Sequence, residues 1–326
     1  MKTGIIRNSF TALCKKMEAY PRLRHCILVC LRRTTMTINR WPEQKFINGV
    51  MDCYKRHMGY SFNLSHPVLF TEKLQWYKVY YQRDDFANIT DKYLFKNYVK
   101  EKLGPGHTIP IYNVWTDIGD LERDWHSLPE EFVLKANLQS DGRNIMFVHH
   151  KSQTDFRRIR PELKRWLKVW DTLLNSWEWH FYNSTPRILA EKYMSNIEGQ
   201  LYDYKIYCFD GEPYCMYVAQ EHFVDNNSYP ITFYDLDWKK IDVCYGSHRN
   251  ADAAKPKHFA EMVEMARILS KGFPFIRVDF FDTDEKPYVA EMTFTPGGGC
   301  VPYSPESFNR LLGDKLILKT FSHQKS

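Results

Sequence analysis

The chain has 326 residues, of which 44% are hydrophobic and 16% aromatic, and its formal net charge is +6. This composition supplies enough apolar surface for a sizeable core and therefore excludes a wholly disordered protein. No apolar run approaches the roughly 20 residues that a membrane-spanning helix needs, and the N-terminus lacks a secretory signal, so we expect a cytoplasmic protein. Its eight irregularly spaced cysteines are then expected to be reduced thiols.

The positive charge is concentrated at the N-terminus. Residues 1–35 carry eight Lys or Arg against one Glu, a net charge of +7, so the rest of the chain is close to neutral. We predict helices over residues 1–60, interrupted at Pro21 and Pro42. The segment 1–35 fits the anionic inner face of a membrane or an anionic glycan, or is the solvated face of a helix. The remainder shows no basic aromatic platform, so we expect no nucleic acid partner.

The remaining pattern predicts an α+β fold. Helices are predicted over 71–81, 91–103, 160–177 and 254–271, and strands over 132–135, 145–149, 187–193, 205–209, 214–219, 231–234, 275–281 and 288–294. Asp210-Gly211 joins two of these strands and is typical of a two-residue antiparallel hairpin. We divide the chain into a basic segment 1–60, a helical and α+β subdomain 61–130, a nucleotide lobe 131–195 and a metal and substrate lobe 196–326.

The predicted hairpin 275–294 is the most informative segment. If Asp279 lies opposite Glu291, one face of the hairpin is wholly apolar, whereas a slip of one residue would mix charges into that face. The core should therefore select this register. The predicted apolar pairs are Ile276/Phe294, Val278/Met292 and Phe280/Ala290, and the polar pairs are Arg277/Thr293 and Asp279/Glu291.

Two carboxylates that face each other across strands lie within about 5 Å and repel. Mg²⁺ binding to Asp279 and Glu291 would remove that conflict while leaving coordination positions for phosphate oxygens. Arg277 beside them could hold a phosphoryl or carboxylate group in bidentate fashion. The alternative is a solvated edge hairpin in which Arg277 simply balances Asp279.

A second candidate region is a strand, loop and strand over residues 131–148. Lys135 at the strand end could neutralise phosphate, and the loop with Ser140, Gly142 and Arg143 could cover it; the alternative is an ordinary turn. The sequence contains neither a P-loop nor a Rossmann glycine fingerprint. Downstream, Glu191, Lys192 and Tyr193 could form an adenine-binding hinge, or an ordinary charged strand end.

Together these stretches resemble the ATP-grasp superfamily and, within it, the TupA-like branch of teichuronopeptide and surface polysaccharide synthesis. The resemblance runs from about Phe62 to Pro302. Its motifs are FNLSHPVLFTEKLQWYK, TDKYLFKNYVKEKLG, LPEEFVLKANLQSDGRN, ILAEKY, DYKIYCFDGEP, FIRVDFFD and VAEMTFTPGGG. The resemblance implies an ATP-grasp fold in which antiparallel sheets in two lobes enclose ATP, with a helical N-terminal region.

The resemblance also implies roles for individual residues. Lys92 and Lys135 would contact ATP phosphates, the segment Ser140–Asn144 would form the phosphate lid, and the segment Glu191–Tyr193 would form the adenine hinge. Asp203 would serve ribose or substrate, and Lys205, with Arg277, would face the transferred phosphate. The assigned ATP contacts are Lys92, Lys135, Ser140, Gly142, Arg143, Asn144, Glu191, Lys192, Tyr193 and Asp203.

At the metal end, the segment Glu291–Gly297 resembles the E-x-N-x-x-P-G pattern of amino-acid ligases, with Thr293 in place of the usual Asn. The metal ligands are then Asp279, Glu291 and Thr293, and one Mg²⁺ is a safer prediction than two.

Leu138-Gln139 replaces the His-Gly that is common in this branch, which predicts a less flexible lid. Gly297, Gly298 and Gly299 could bind an acidic substrate through their amides, or form a flexible loop.

The activity implied by the resemblance is an ATP- and Mg²⁺-dependent carboxylate–amine ligase. It would join an amino acid to an acidic glycan, which a lipid at the inner face of the membrane would carry, in capsule, lipopolysaccharide or teichuronopeptide synthesis. The alternatives are a glycan kinase, a glycosyltransferase-type polysaccharide enzyme and a non-catalytic glycan-binding protein.

Overall fold

The computed structural model describes residues 43–83, 85–138, 144–168, 177–178, 184–194, 202–220, 229–248 and 250–318. The chain divides into two compact units, residues 1–46 and 47–326. Only residues 43–46 of the first unit are described, so the predictions for the basic segment 1–35 lie outside the described residues. The four-part division of the chain stays a prediction.

Eight helices lie in the described ranges. They are α1 (Glu43–Met58), α2 (Phe70–Tyr80), α3 (Phe86–Thr90), α4 (Phe95–Leu103), α5 (Ile118–Asp124), α6 (Phe156–Trp166), α7 (Phe259–Ser270) and α8 (Glu306–Lys315). None of these helices is long and apolar enough to cross a membrane. The predicted helix 71–81 is confirmed as α2, and α1 gives the described end of the N-terminal region its helical character.

The other predicted helices are shifted by local hydrogen bonds. The helix predicted from residue 91 begins only at Phe95, because the carboxylate of Asp91 accepts hydrogen bonds from the amides of Tyr93 and Leu94 and forms a turn there. Helix α6 begins before residue 160, because Asp155 caps it by accepting from the amide of Arg157, and it ends at Trp166. Helix α7 begins at Phe259 rather than 254, after a turn closed by the carbonyl of Pro256.

The part of the chain that the structure describes has twelve strands, which are β1 (Ile111–Trp115), β2 (Phe132–Ala136), β3 (Ile145–Val148), β4 (Ile188–Lys192), β5 (Asp203–Phe209), β6 (Glu212–Ala219), β7 (Ile231–Asp235), β8 (Lys240–Ile241), β9 (Cys244–Tyr245), β10 (Phe275–Asp282), β11 (Pro287–Thr293) and β12 (Tyr303–Ser304). They form a four-stranded sheet in the order β1-β4-β2-β3, a six-stranded sheet in the order β11-β10-β5-β6-β7-β8, and a small β12-β9 ladder. All three are antiparallel, so the predicted α+β class is confirmed.

Helices cover both faces of the six-stranded sheet. Helices α3, α4 and α7 share one apolar core with it, and α2 and α8 share a second core on the opposite face. Strand β10 is therefore buried on both sides from Phe275 to Phe280. The alternative of a solvated hairpin is wrong for β10, whose polar face is enclosed as well, but Arg277 does pair with Asp279 and β11 is an edge strand, as that alternative expected.

The predicted register of the carboxylate hairpin is confirmed at its polar end. Asp279 lies opposite Glu291, and Arg277 lies opposite Thr293. The predicted pair Phe280/Ala290 is wrong, because a β-bulge follows Asp279 and Phe280 lies opposite Val289. Val289 is fully buried and its amide donates to the carbonyl of His107, so this contact with the segment before β1 draws the larger side chain into the core.

The hairpin between β5 and β6 turns at Asp210-Gly211, as predicted. Asp210 has a φ of 49° and Gly211 a φ of 84°, which are the positive values that a two-residue turn of type I′ requires. The register shifts by one residue between Tyr207 and Cys208, and as a result Lys205 lies opposite Tyr217 on one side of β5, while Asp279 lies opposite Lys205 on the other. The three residues therefore form one row across the sheet.

Candidate active site

Asp279 lies at the centre of a buried charge cluster in the six-stranded sheet. Its Oδ1 accepts from Arg277 Nε at 2.6 Å, and its Oδ2 accepts from Arg277 Nη2 at 2.6 Å and from Lys205 Nζ at 2.9 Å. Burial by itself raises the pKa of the Asp279 carboxyl, but the charges of Arg277 and Lys205 outweigh it, and the pKa is lowered. Asp279 is thus an ionised carboxylate whose charge the protein already balances.

Arg277 connects this cluster to its neighbours. Positions 277 and 279 share one face of β10 because side chains alternate along a strand. Arg277 Nη1 donates to the hydroxyl of Tyr217 at 3.1 Å, and Nη2 donates to Thr293 Oγ1 at 3.1 Å. The guanidinium is therefore held in one orientation by partners on three strands.

Glu291 is the more open of the two opposed carboxylates. Its side chain is 22% exposed, against 1% for Asp279. Glu291 contacts Lys92 Nζ and Thr293 Oγ1, each at 3.4 Å, which is longer than a strong charge-assisted hydrogen bond. The basic partners of Asp279 thus reduce the predicted repulsion between the two carboxylates. Glu291, whose contacts are longer, keeps room for another ligand.

A second charge cluster surrounds Glu191 at the end of β4. Lys96 Nζ lies 2.7 Å from Glu191 Oε1, and Lys135 Nζ lies 2.9 Å from Oε2. Burial opposes the ionised form, but the charges of Lys135 and Lys96 prevail and lower the pKa of Glu191 to about 2. The sequence analysis missed Lys96, although it follows Lys92 by four residues within the same quoted motif.

A hydrogen-bonded network fixes Lys92 at the edge of the four-stranded sheet. Asn137 Nδ2 donates to Asp91 Oδ2 at 2.6 Å, and Arg187 Nη1 lies 3.3 Å from the same oxygen. The amide of Lys92 donates to the carbonyl of Asn137 at 3.1 Å. Because its ammonium contacts Glu291, Lys92 bridges the two sheets.

Further contacts show that both clusters line one site between the sheets. Lys135 Nζ, on β2, lies 5.9 Å from the centre of the Phe281 ring, on β10. Lys96 Nζ donates to the carbonyl of Ile109 at 2.8 Å, two residues after His107, which binds β11. The basic residues of the site thus converge from both sheets and from α4.

The remaining residues predicted to bind ATP lie around this site or outside the described ranges. Ser140, Gly142 and Arg143 lie outside the described residues, so the lid stays a prediction. Asn144 has a φ of 59°, and its carbonyl accepts from the amide of Ala136 at 3.0 Å, which closes the base of the β2–β3 loop.

The predicted hinge residues lie at the end of β4 and directly after it, and the predicted ribose residue begins β5. The amide of Lys192 donates to the carbonyl of Pro110 at 2.9 Å, and its side chain is exposed. The ring of Tyr193 lies edge-on to His149, with ring centres 5.0 Å apart. Asp203 lies 3.0 Å from Lys205 Nζ and so extends the row of charges beyond Asp279. The structure thus places Asp203 directly beside the carboxylate cluster.

The glycine loop 297–299 packs against helix α2. All three glycines have positive φ, and Gln75 Nε2 donates to the carbonyls of Gly299 at 2.8 Å and Gly298 at 3.3 Å. The amide of Gly298 donates to the carbonyl of Thr295 at 2.8 Å. The loop is therefore a packed turn, and substrate binding by its amides stays a prediction.

Comparisons with known proteins show the family to which the chain belongs. The sequence model of the TupA-like ATP-grasp family matches residues 72–317. The solved D-alanine–D-alanine ligase of Helicobacter pylori is 16% identical, with a TM-score of 0.43 over 70% of this chain and 61% of that one. The Bacillus anthracis enzyme complexed with ATP is 17% identical, with a TM-score of 0.38 over 64% of this chain and 55% of that one.

An ADP complex of N5-carboxyaminoimidazole ribonucleotide synthetase is 16% identical, with a TM-score of 0.39 over 64% of this chain and 45% of that one. This chain therefore spans less than two thirds of the length of each of these three structures. No curated protein matches the chain. Because the family match covers most of the chain, including both charge clusters, the protein belongs to the TupA-like ATP-grasp family and has the ATP-grasp fold.

Proposed function

We propose that this protein is an ATP- and Mg²⁺-dependent ligase that joins a carboxylate to an amine. The observation that carries the proposal is the opposition of Asp279 and Glu291 in one register, with Arg277 and Lys205 bound to the first and Lys92 to the second. A phosphate-binding site needs cations close to hard oxygen ligands for Mg²⁺, and both occur here within one sheet.

The donor set fits one Mg²⁺ ion. Glu291 offers two carboxylate oxygens with long contacts, and Asp279 Oδ1 accepts one hydrogen bond among the described residues and so keeps an acceptor position. Mg²⁺ in nucleotide sites is commonly held by one or two carboxylates together with water and phosphate oxygens. Thr293 Oγ1 already accepts from Arg277, which suits it to orienting a ligand or water rather than to binding a second ion.

The charge balance also fits a polyphosphate. Lys92, Lys96, Lys135, Lys205 and Arg277 face Glu191, Asp203, Asp279 and Glu291, so basic groups exceed acidic groups by one. Lys135 and Lys92, which come from the four-stranded sheet and its edge, would hold the phosphates. When bound, Mg²⁺ would neutralise charge on the phosphate oxygens.

The chemistry would proceed in two steps. A substrate carboxylate oxygen attacks the terminal phosphorus of ATP, the bond to the ADP oxygen breaks, and an acyl phosphate forms. An amine then attacks the acyl carbon, loses a proton and expels inorganic phosphate. Arg277 and Lys205, fixed by Asp279, would stabilise the negative charge of the transferred group without moving to meet it.

The proposed substrates are an amino acid and an acidic, uronic-acid-containing glycan of a bacterial surface polysaccharide such as capsule, lipopolysaccharide or teichuronopeptide. The family name supports this substrate class. The charge of residues 1–35 supports a lipid-carried glycan and contact with the anionic inner face of a membrane from the cytoplasm.

The test is to incubate the purified protein with ATP, Mg²⁺, a panel of amino acids and uronic-acid oligosaccharides. We expect release of ADP and phosphate only when both substrates are present, and a product whose mass is the sum of the two minus water. A product that retains the phosphate would instead indicate a glycan kinase. No substrate-dependent ADP release across the panel would contradict the proposal.

A further inference from the structure

A cluster of sulfur and nitrogen ligands lies apart from the charge clusters. Cys53, His57 and Cys300 each offer one potential ligand atom, and these atoms lie within 4.8 Å of one another. Cys53 is buried, Cys300 is partly buried and His57 is exposed, so the cluster reaches the protein surface on the histidine side. Three such ligands around one point are the donor set of a zinc site with one open position.

Two of the three residues are placed by helix α1. Cys53 and His57 are four residues apart and therefore lie on the same face of the helix. His57 Nδ1 lies 3.7 Å from Cys53 Sγ and 2.9 Å from the Cys53 carbonyl oxygen, and the second contact keeps the ring beside the sulfur. Because Nδ1 makes both contacts, zinc binding by Nδ1 would replace its hydrogen bond to the carbonyl, while the ring already lies beside the sulfur.

The third residue comes from the loop that follows β11. Cys300 directly follows the glycine loop 297–299, and Gln75 Nε2, which binds the carbonyl of Gly299, also lies 3.8 Å from Cys300 Sγ. This loop is fixed by close packing, since a Cβ atom added at Gly299 would lie 2.4 Å from Gln75 Nε2. The closely packed loop therefore fixes the position of Cys300 beside helix α1.

We propose that Cys53, His57 and Cys300 bind one zinc ion, with water in the fourth position. Thiolate and imidazole ligands select zinc over Mg²⁺ and Ca²⁺, which prefer oxygen. Tetrahedral zinc holds a sulfur and a nitrogen roughly 3.5 Å apart and two sulfurs roughly 3.8 Å apart, so no pair of ligand atoms needs to approach by more than about 1.3 Å. The ion would fasten the loop after strand β11 to helix α1, apart from the proposed ligase chemistry, and would keep its fourth position open to water.

The two sulfurs would bind zinc as thiolates, because the thiolate and not the thiol is the metal ligand. Zinc binding would therefore release the thiol protons.

The experiment compares zinc binding by the full-length wild-type protein with binding by Cys53→Ser, His57→Gln and Cys300→Ser variants. Cys244→Ser is the control, because Cys244 is exposed and lies in β9, outside the cluster. Each protein is reduced, stripped with a chelator, checked for folding by circular dichroism and titrated with Zn²⁺. Co²⁺ is then used as a spectroscopic probe of thiolate ligation.

We expect the wild type and Cys244→Ser to bind one equivalent of zinc, to show sulfur-to-cobalt charge-transfer absorption, and to gain thermal stability on adding Zn²⁺. The three cluster variants should bind at least tenfold more weakly, and Cys53→Ser and Cys300→Ser should also lose part of the charge-transfer band. The proposal is overturned if the folded wild type binds no zinc. It is also overturned if a folded Cys53→Ser, His57→Gln or Cys300→Ser variant binds zinc as tightly as the wild type does.

Discussion

Lys205 Nζ lies 2.9 Å from Asp279 Oδ2 across neighbouring strands of the six-stranded sheet, so the buried carboxylate is bound by a cation before any ligand arrives. Glu291 is in a different state, since its nearest basic contact, with Lys92, is 3.4 Å long and its side chain is partly exposed. The two opposed carboxylates should therefore respond differently to neutralisation.

We expect Glu291→Gln to weaken Mg²⁺ binding with little loss of stability, and Asp279→Asn to lower the stability as well. Glu291→Gln removes the more open oxygen ligand and should raise the Mg²⁺ concentration for half-maximal ADP release by about tenfold or more, with unfolding free energy within about 1 kcal/mol of wild type. Asp279→Asn leaves buried Arg277 without its carboxylate and Lys205 with Asp203 alone, so it should also cost about 3 to 5 kcal/mol of stability.

Urea unfolding and Mg²⁺ titration of ADP release check both variants. The surface variant Asp237→Asn is the control, because Asp237 forms only an exposed pair with Lys239 among its described ion pairs. Equal losses of stability in the Glu291 and Asp279 variants would contradict the assigned difference between the two carboxylates.

The Glu191 cluster should produce a specific acid dependence of stability. The pKa of Glu191 is lowered from its ordinary 4.5 to about 2, so the folded state binds its proton less tightly than the unfolded state does. The resulting stability, of the order of 3 kcal/mol, is fully present above about pH 4.5 and is lost as the pH falls towards about 2. Glu191→Gln should remove this component.

The measurement is the unfolding free energy in urea from pH 7 to pH 3, for wild type, Glu191→Gln and the exposed control Glu101→Gln. The difference between wild type and Glu191→Gln should shrink as the pH falls below 4.5, whereas the control should follow the wild type throughout. A difference that stays constant over this range would show that Lys96 and Lys135 do not set the pKa of Glu191.

Strand pattern alone predicted the central register of the site. Alternation of apolar and charged residues on both strands leaves one pairing that keeps charges out of the core, and that pairing sets Asp279 opposite Glu291. The bulge was not predictable in this way, because it depends on the hydrogen bond between Val289 and His107, which lie far apart in the chain. The alternation of apolar and charged residues gives the pairing of β10 with β11, but it cannot show that the segment containing His107 contacts β11.

The ion-pair partners of the charged residues also could not be predicted from the sequence. Glu191 was assigned to adenine from its place at a strand end, but its carboxylate lies between Lys96 and Lys135, which come from a helix and from another strand. Similarly, Oδ2 of Asp91 is bound by Asn137 and Arg187, both distant in sequence. Such networks form only when the elements pack, so residue type and local spacing indicate a basic site but not its pairs.

The bulge in β11 can be tested by paired substitutions. Val289 is fully buried opposite Phe280, whereas Ala290 is partly exposed. Val289→Ala should therefore leave a cavity and cost about 2 kcal/mol of unfolding free energy, while Ala290→Ser should change it by less than about 0.5 kcal/mol. Urea denaturation of the two variants checks this. The opposite order of effects would indicate the unbulged register, in which Ala290 faces the core.

Alanine substitutions at Gly299 and Gly59 can separate the cost of backbone strain from the cost of close packing in the glycine loop. Gly299 and Gly59 both have positive φ, 64° and 82°. A Cβ atom at Gly299 would lie 2.4 Å from Gln75 Nε2 and 2.9 Å from Leu74 Cβ, whereas nothing lies within 4 Å of one at Gly59. Gly59→Ala should thus cost only the backbone term of about 1 kcal/mol, and Gly299→Ala should cost this plus about 1 to 3 kcal/mol from overpacking.

Thermal and urea unfolding measure the two costs, and the ligase assay measures their consequence. Because Gly299 follows the strand that carries Glu291 and Thr293, displacement of the loop should also lower ADP release in Gly299→Ala, whereas Gly59→Ala should keep wild-type activity. Equal destabilisation by the two substitutions would show that positive φ alone requires glycine at position 299. The packing of the loop against α2 would then have no part in holding the carboxylate strand.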